Sequence, residues 1–274
     1  MTRRGAIAVS DAVVVVTGAG RGIGRAAATA FAARGAKVFC LDIDGEAATA
    51  TAALCLAHGR AGEAHTVDVA DRDAMVAAAV HVEAAAGRVD VVVNNAGVGM
   101  SGRFLDMSAD DWAWIRSINL DGVVNGCAAF GPGLQRRGRG HVVNVSSGLG
   151  YTHTATEPAY VTTKAAVLAL SRCLRADWAS HGIGVSAVCP GVIDTPIIDA
   201  TRFVGGIAER DREKVRRLFR RGHAPGKVAA AIVGAVERNR SVVPVGAEAH
   251  LGWYLNRLAP VAVQQRLLSL GDRW

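Results

Sequence analysis

Aromatic side chains are scarce in this chain: Phe, Trp and Tyr make up 5% of its 274 residues. Any core must therefore be built mainly from aliphatic side chains. Cysteine is limited to Cys40, Cys55, Cys127, Cys173 and Cys189. The odd count and the lack of any CxxC spacing argue against a disulfide framework and for reduced thiols. Cys40 and Cys189 sit in apolar runs and read as small buried hydrophobes. No HExxH pattern is present, and His81, His153 and His223 share no ligand spacing, so no metal is expected. No apolar run reaches the ~18 residues needed to span a bilayer. The opening MTRRGAIAVS is basic but has no long apolar core before Asp11. It does not read as a secretory leader, so a soluble cytoplasmic protein is expected.

What is present is half hydrophobic and 20% charged, a composition that supports a substantial buried core. The net charge of +7 is unevenly placed: residues 1–201 carry a net −1 and residues 202–274 a net +8. The basic excess does not interleave with aromatics along a recognisable nucleic-acid module, so no nucleic-acid partner is expected.

Along the chain, short β-branched runs alternate with longer Ala-rich amphipathic stretches. Strands are expected at 12–16, 37–41, 65–67, 89–93, 141–145, 185–188 and 241–245. Helices are expected at 23–34, 45–58, 71–86 with Asp71 as N-cap, 112–134, 159–180 and 227–238. The strands are continuous apolar runs, VVVV at 13–16 and VVV at 91–93, as a parallel sheet buried on both faces requires. The pattern predicts an α/β fold: a single doubly wound Rossmann-type domain over 1–274, with about seven parallel strands and helices on both faces. An insertion at about 195–222 and a C-terminal extension at about 247–274 complete it.

Directly after the first strand comes TGAGRGIG, Thr17 to Gly24. Glycines between a strand and a helix let the backbone approach a pyrophosphate, and the helix offers free N–H groups and a positive dipole end. Asp42 closes the second strand, 18 residues beyond Gly24. A carboxylate there accepts from the adenosine ribose hydroxyls and repels a 2′-phosphate. This points to NAD, with NADP as the alternative because Arg21 could pair with that phosphate.

TGAGRGIG, NNAG at 94–97, Asn119, Ser146-Ser147, YVTTK at 160–164 and PGVIDT at 190–195 occur in this order. Together they resemble the classical short-chain dehydrogenase/reductase family, strongly over about 11–200. The resemblance implies hydride transfer between a nicotinamide and an alcohol or ketone, in a homodimer or homotetramer built on the helices near Trp112 and Ala159. It implies that Asn119, Ser147, Tyr160 and Lys164 are the catalytic set, with Ser147 thirteen residues before Tyr160 and Asn119 supporting a water relay. It places Gly18, Arg21, Gly22, Ile23, Gly24 and Asp42 on the cofactor. To these it adds Asp68 and Val69 at the adenine edge, Asn95 and Gly97 over the cofactor, Ile193 and Thr195 at the carboxamide, and Tyr160 and Lys164 at the nicotinamide ribose. Asn94 is expected to brace the sheet and Ser146 to support the strand end.

The chemistry also follows from the residue types. Tyr160 and Lys164 are i and i+4, on one helix face. A phenol of pKa near ~10 is a poor base at neutral pH. A neighbouring ammonium favours the phenolate, so the expectation is a lowered pKa and a general acid/base role for Tyr160.

The substrate pocket is expected among 99–104, 148–158 and the segment after Thr195. The side chains there include Met100, Phe104, Leu149, Tyr151, Ile197, Ile198 and Phe203, apolar and without a carboxylate clamp. A small hydrophobic alcohol or ketone, lipid-like or steroid-like, is the expected substrate. Segment 209–221 holds seven Lys/Arg and three acids. It reads as a solvated helix face, or as a dock for an acidic carrier or anionic lipid. Leu251, Leu255 and Leu258, then Leu267, Leu268 and Leu270, suit packing on a subunit or capping the pocket better than peripheral membrane contact. Two other readings remain: an NADPH-dependent ketoreductase for carrier-bound 3-oxoacyl groups, and a non-catalytic dinucleotide sensor, which would not need the chemical set.

Overall fold

The computed structural model describes residues 5–58, 62–206, 209–260 and 262–264. Its strands, in chain order, are β1 (Val13–Thr17), β2 (Lys37–Asp42), β3 (Glu63–Thr66), β4 (Val91–Asn94), β5 (Gly99–Ser101), β6 (Gly140–Val145), β7 (Ile183–Pro190), β8 (Thr201–Phe203) and β9 (Val242–Val245). Its helices are α1 (Gly22–Ala32), α2 (Gly45–Leu56), α3 (Arg72–Ala86), α4 (Ala109–Arg116), α5 (Gly122–Arg137), α6 (Pro158–Trp178), α7 (Glu209–Arg220), α8 (Pro225–Arg238) and α9 (Ala247–Leu258).

Seven strands form one sheet in the order β3-β2-β1-β4-β6-β7-β9, and all its pairings are parallel. Every residue of β1, β4 and β6 is buried, because helices cover both faces. One face packs on Phe31 of α1, Ala52 of α2 and Ile232 of α8. The other packs on Met75 of α3, Phe130 of α5 and Val167 of α6. Each fully buried Val or Phe of these layers contributes roughly 1.5–3 kcal/mol. This is the doubly wound α/β fold that the alternation of runs predicts. Asp71 caps α3, accepting from the amides of Asp73 and Ala74.

The chain leaves β1 for β2 and β3 on one side, then crosses to β4 on the other. The carboxyl ends of β1 and β4 therefore flank a switch point, where α/β sheets open a crevice.

Two expectations are corrected. The helix expected over 112–134 divides into α4 and α5 around a π turn at Ser117–Asp121. Asn119, in that turn, is fully buried and bonds both backbone groups of Val98, which a continuous α-helix would not position. The segment around 99–104, expected as loop, contains β5, which pairs in parallel with β8 from beyond Thr195 as a separate two-stranded sheet.

Cys40, Cys55, Cys127 and Cys189 are buried free thiols and Cys173 is an exposed one. Among the described residues, no helix is long and apolar enough to cross a membrane. Leu267, Leu268 and Leu270 lie outside the described residues.

Candidate active site

The glycine loop is shaped by positive backbone φ at Gly18 (+62°) and Gly22 (+50°), conformations that favour glycine. A Cβ on Gly18 would come within 2.8 Å of the Ala96 backbone, and one on Gly24 would overlap the Gly18 carbonyl oxygen. Thr17 Oγ1 accepts from the amides of Asn95 and Ala96 at 3.0 and 3.1 Å. Asn95 Nδ2 in turn donates to the carbonyls of Thr17 and Gly18. Loop and β4 end are thereby locked together. The N-terminus of α1 has no side-chain cap and no acidic residue in its first turn. Its amides and dipole are available to an anion.

Asp42 ends β2 beside this loop. Its carboxylate accepts from the amides of Gly20 (2.7 Å) and Asp44 (3.0 Å). Arg21 is turned onto Asp44, which also caps α2 through the Ala47 amide. The Ala47 amide and the Arg21 guanidinium hold the Asp44 carboxyl below its ordinary range. Arg25, which the motif does not single out, donates to the Gly20 carbonyl and to Thr51.

A cavity of about 940 Å³ opens at the switch point. Gly18, Arg21, Gly22, Ile23 and Asp42 line one end of it. Asp68 and Val69 flank that end, and Asn95, Gly97, Ile193 and Thr195 line the middle. Ser147, Tyr160 and Lys164 line the opposite end. Gly24 and Asn119 stand behind the wall. Gly24 lets α1 pack on the loop. Asn119 bonds Val98, and a Cβ on Gly97 would lie 3.1 Å from its Oδ1 and 3.3 Å from Lys164 Nζ. The donor set fits a dinucleotide: a glycine cradle with free helix amides for the pyrophosphate, a carboxylate at the ribose position, and a lysine at the far end.

Ser147 Oγ accepts from the Leu149 amide at 3.1 Å and stands near the Tyr160 phenol, where it favours the ionised form. Ser146 donates to the Lys164 carbonyl at 2.7 Å, tying the end of β6 to α6. Lys164 is buried and donates to the Val145 carbonyl at 3.2 Å. Asn94 donates to Asn144 across β4 and β6, as a sheet brace would.

The electrostatics differ from the sequence expectation. Burial pushes the Tyr160 phenol up to about 12, helped by the nearby Glu157 carboxylate and opposed by the Ser147 hydroxyl. Burial also pulls Lys164 down to about 8. The ammonium lies 5.7 Å from the centre of the Tyr160 ring and is spent on the Val145 carbonyl, so desolvation outweighs its pull on the phenol.

Met100, Leu149, Ile197, Ile198 and Phe203 line the substrate end as expected from their loops, joined by Val215, Leu218 and Phe219 of α7. Exposed Lys214, Arg217 and Arg220 lie on the other side of that helix. Two expected residues point elsewhere. Tyr151 donates to the Ala249 carbonyl at 2.7 Å and stacks edge-on against Trp253, fastening α9 to the core. Phe104 is 62% exposed and meets Trp112 instead.

Three carboxylates at the cavity, Asp199, Glu248 and Glu157, have no counterpart in the sequence reading. Glu248 of α9 accepts from the Val192 amide at 2.9 Å and so holds the 190–195 segment in place. Glu157, three residues before Tyr160, faces the substrate end; burial raises its carboxyl to about 7. Nothing in its sequence position shows that the side chain turns into the cavity. Away from the cavity, Glu63, His65 and His81 bring ligand-type atoms within 4.8 Å of one another, although their sequence positions suggest no motif. Lys37 also pairs with Glu63 there, at 3.3 Å.

Comparison with known proteins agrees with this geometry. The family model for short chain dehydrogenase matches residues 12–202. The Mycobacterium tuberculosis oxidoreductase EphD is 43% identical over 261 residues, covering 93% of this chain but 44% of that protein. The chain thus spans less than half the length of EphD. The short-chain reductase NovJ of Streptomyces niveus is 34% identical over 254 residues, covering 89% of this chain and 94% of NovJ. A short chain dehydrogenase/reductase from Burkholderia phymatum, crystallised with NAD, superposes with a TM-score of 0.85 at 28% identity, covering 95% of this chain and 96% of that one. The chain belongs to the short-chain dehydrogenase/reductase family of oxidoreductases.

Proposed function

We propose that the chain is an NAD(H)-dependent dehydrogenase/reductase that interconverts a hydrophobic alcohol and its ketone, with Tyr160 as the general acid/base. The observation that carries this reading is the convergence of Ser147, Tyr160 and Lys164 at one end of a single cavity whose other end holds the glycine loop and Asp42. Bound NAD(H) would supply or accept the hydride. Gly18, Gly22 and the α1 amides hold its pyrophosphate, and Asp42 its adenosine ribose. Asp68 and Val69 flank the adenine, Asn95 and Gly97 lie along the cofactor, Ile193 and Thr195 meet the carboxamide, and Lys164 the second ribose.

The substrate oxygen sits between Ser147 and Tyr160. Ser147 orients it, and Tyr160 passes it a proton in reduction or takes one in oxidation. A phenol held near 12 is protonated at neutral pH, which favours proton donation to a carbonyl. Asn119 fixes the Val98 backbone and stands behind Lys164. The apolar walls supplied by Met100, Leu149, Ile198 and α7 exclude water and hold a hydrophobic substrate body.

Arg21 paired with Asp44, together with the carboxylate of Asp42, supports NAD over NADP and weighs against the NADPH-dependent 3-oxoacyl reading. The chain acts as a single domain in the cytoplasm, as a homodimer or homotetramer joined through α4–α5 and α6. Val124 on α5, 43% exposed, suits that contact. The test is a dehydrogenase screen over alcohols of increasing hydrophobicity, read by NADH absorbance. Turnover that rises with apolar size supports the reading, and none with any alcohol or ketone defeats it.

A further inference from the structure

Three carboxylates line the cavity outside its cofactor end: Glu248 is bound to the Val192 amide, Asp199 pairs with Arg216, and Glu157 immediately precedes Pro158 at the start of α6. The Glu157 side chain makes no capping bond to the first turn of α6. No hydrogen bond or ion pair to its carboxylate is found among the described residues. The nearest cationic group on its helix, Lys164, is committed to the Val145 carbonyl. Burying a carboxylate without a partner is unfavourable, and burial raises the Glu157 carboxyl accordingly. Such a group is stabilised when a ligand brings the missing donor.

The position of the carboxylate fixes where that donor must be. Glu157 and Tyr160 are three residues apart at the start of α6, and both line the cavity. The two side chains are close enough for the Glu157 charge to act on the phenol. A substrate whose reacting oxygen lies between Ser147 and Tyr160 therefore brings its next one or two carbons to Glu157.

We propose that Glu157 is a specificity-determining residue that binds a hydrogen-bond donor, a hydroxyl or an ammonium group, carried one or two carbons from the reacting carbinol. The preferred substrates are then diols, hydroxyketones or amino alcohols with a hydrophobic body, in place of simple apolar alcohols. The inference rests on the reading of Ser147 and Tyr160 as the reacting pair, and refines the substrate class of that same site.

The experiment compares cyclohexanol, trans-cyclohexane-1,2-diol and trans-2-aminocyclohexanol as probes, with NAD in excess. The proteins are wild type, Glu157→Gln and Glu157→Leu, and NADH binding checks that each variant is folded. In the wild type, kcat/KM for the diol or the amino alcohol is expected to exceed that for cyclohexanol at least tenfold. Glu157→Leu brings the ratio to about one, whatever the change in absolute turnover. Glu157→Gln keeps a preference for the diol, because an amide still accepts a hydrogen bond, but removes any preference for the ammonium compound. Whichever arm the wild type favours identifies the donor as hydroxyl or ammonium. A wild-type ratio near one, or a ratio unchanged in Glu157→Leu, overturns the assignment while leaving the dehydrogenase reading intact. A wild type that oxidises none of the three yet turns over other alcohols overturns the assignment alone, and one that oxidises no alcohol and reduces no ketone overturns both.

Discussion

Lys164 carries a measurable stability penalty. Its amine titrates near 8 in the folded protein, against an ordinary value of 10.5, because it is buried with a single carbonyl partner. A shift of that size corresponds to about 3 kcal/mol held against the charged form at neutral pH, at about 1.4 kcal/mol per unit. Replacing Lys164 by Met removes the buried charge and fills similar volume. The change leaves the Val145 carbonyl without this donor, which costs about 1–2 kcal/mol. The net expectation is a protein more stable by about 1–2 kcal/mol and, for a chain of this size, melting about 2–8 °C higher. The folded state holds this proton less tightly than the unfolded chain. The wild type therefore gains stability as pH climbs from 8 to 10.5, and its deficit against Lys164→Met narrows over that window. Thermal denaturation of the cofactor-free proteins at pH 7 and at pH 10, followed by circular dichroism, reads both effects. A variant less stable than wild type at pH 7, with a difference independent of pH, would refute the desolvation argument. The same variant should have lost turnover, which makes Lys164 a residue retained for chemistry at the expense of stability.

Three further outcomes are expected. His141 is fully buried between the Gly5 carbonyl and Ser186, and burial lowers it to about 4. Its folded-state pKa is depressed, so its contribution is intact above 6.5 and about 3 kcal/mol is lost as pH falls toward 4. Urea midpoints at pH 7.5 and 4.5 should fall less for His141→Gln than for wild type. With Tyr160 protonated until strongly alkaline pH, alcohol oxidation should rise with pH beyond 8 while ketone reduction stays flat or falls; parallel profiles would contradict the assigned roles. Asp42→Asn removes the charge and keeps an acceptor for one of the Gly20 and Asp44 amides, which bond different carboxylate oxygens, so the ratio of NADPH to NADH dissociation constants should shrink at least tenfold in fluorescence titrations.

The strands of the main sheet were legible because helices cover both faces, which turns Val13–Val16 and Val91–Val93 into unbroken apolar runs. The glycine loop and the ends of β1, β2 and β4 were legible because backbone approach at Gly18 and Gly24 demands that residue type. The interruption between α4 and α5 was not, since it depends on Asn119 reaching the Val98 backbone, a contact made by the tertiary fold. The strands β5 and β8 are three residues each and pair across about one hundred positions, too short to carry a periodic signal. Tyr151 was misplaced because a loop sequence does not reveal that α9 returns to receive its hydroxyl. Glu157 was overlooked among the hydroxyls of its loop, because nothing in the sequence shows that its side chain turns into the cavity. The expected lowering of the Tyr160 pKa rested on Lys164 alone and omitted the burial of both groups.

The most direct test of the account is Tyr160→Phe. The substitution removes one hydroxyl from a residue at the reacting end of the cavity and leaves the glycine loop and Asp42 untouched. NADH affinity should stay within about threefold of wild type while kcat for the best alcohol found in the screen falls at least a thousandfold. Turnover within tenfold of wild type would contradict the assignment of Tyr160 as the proton donor and acceptor.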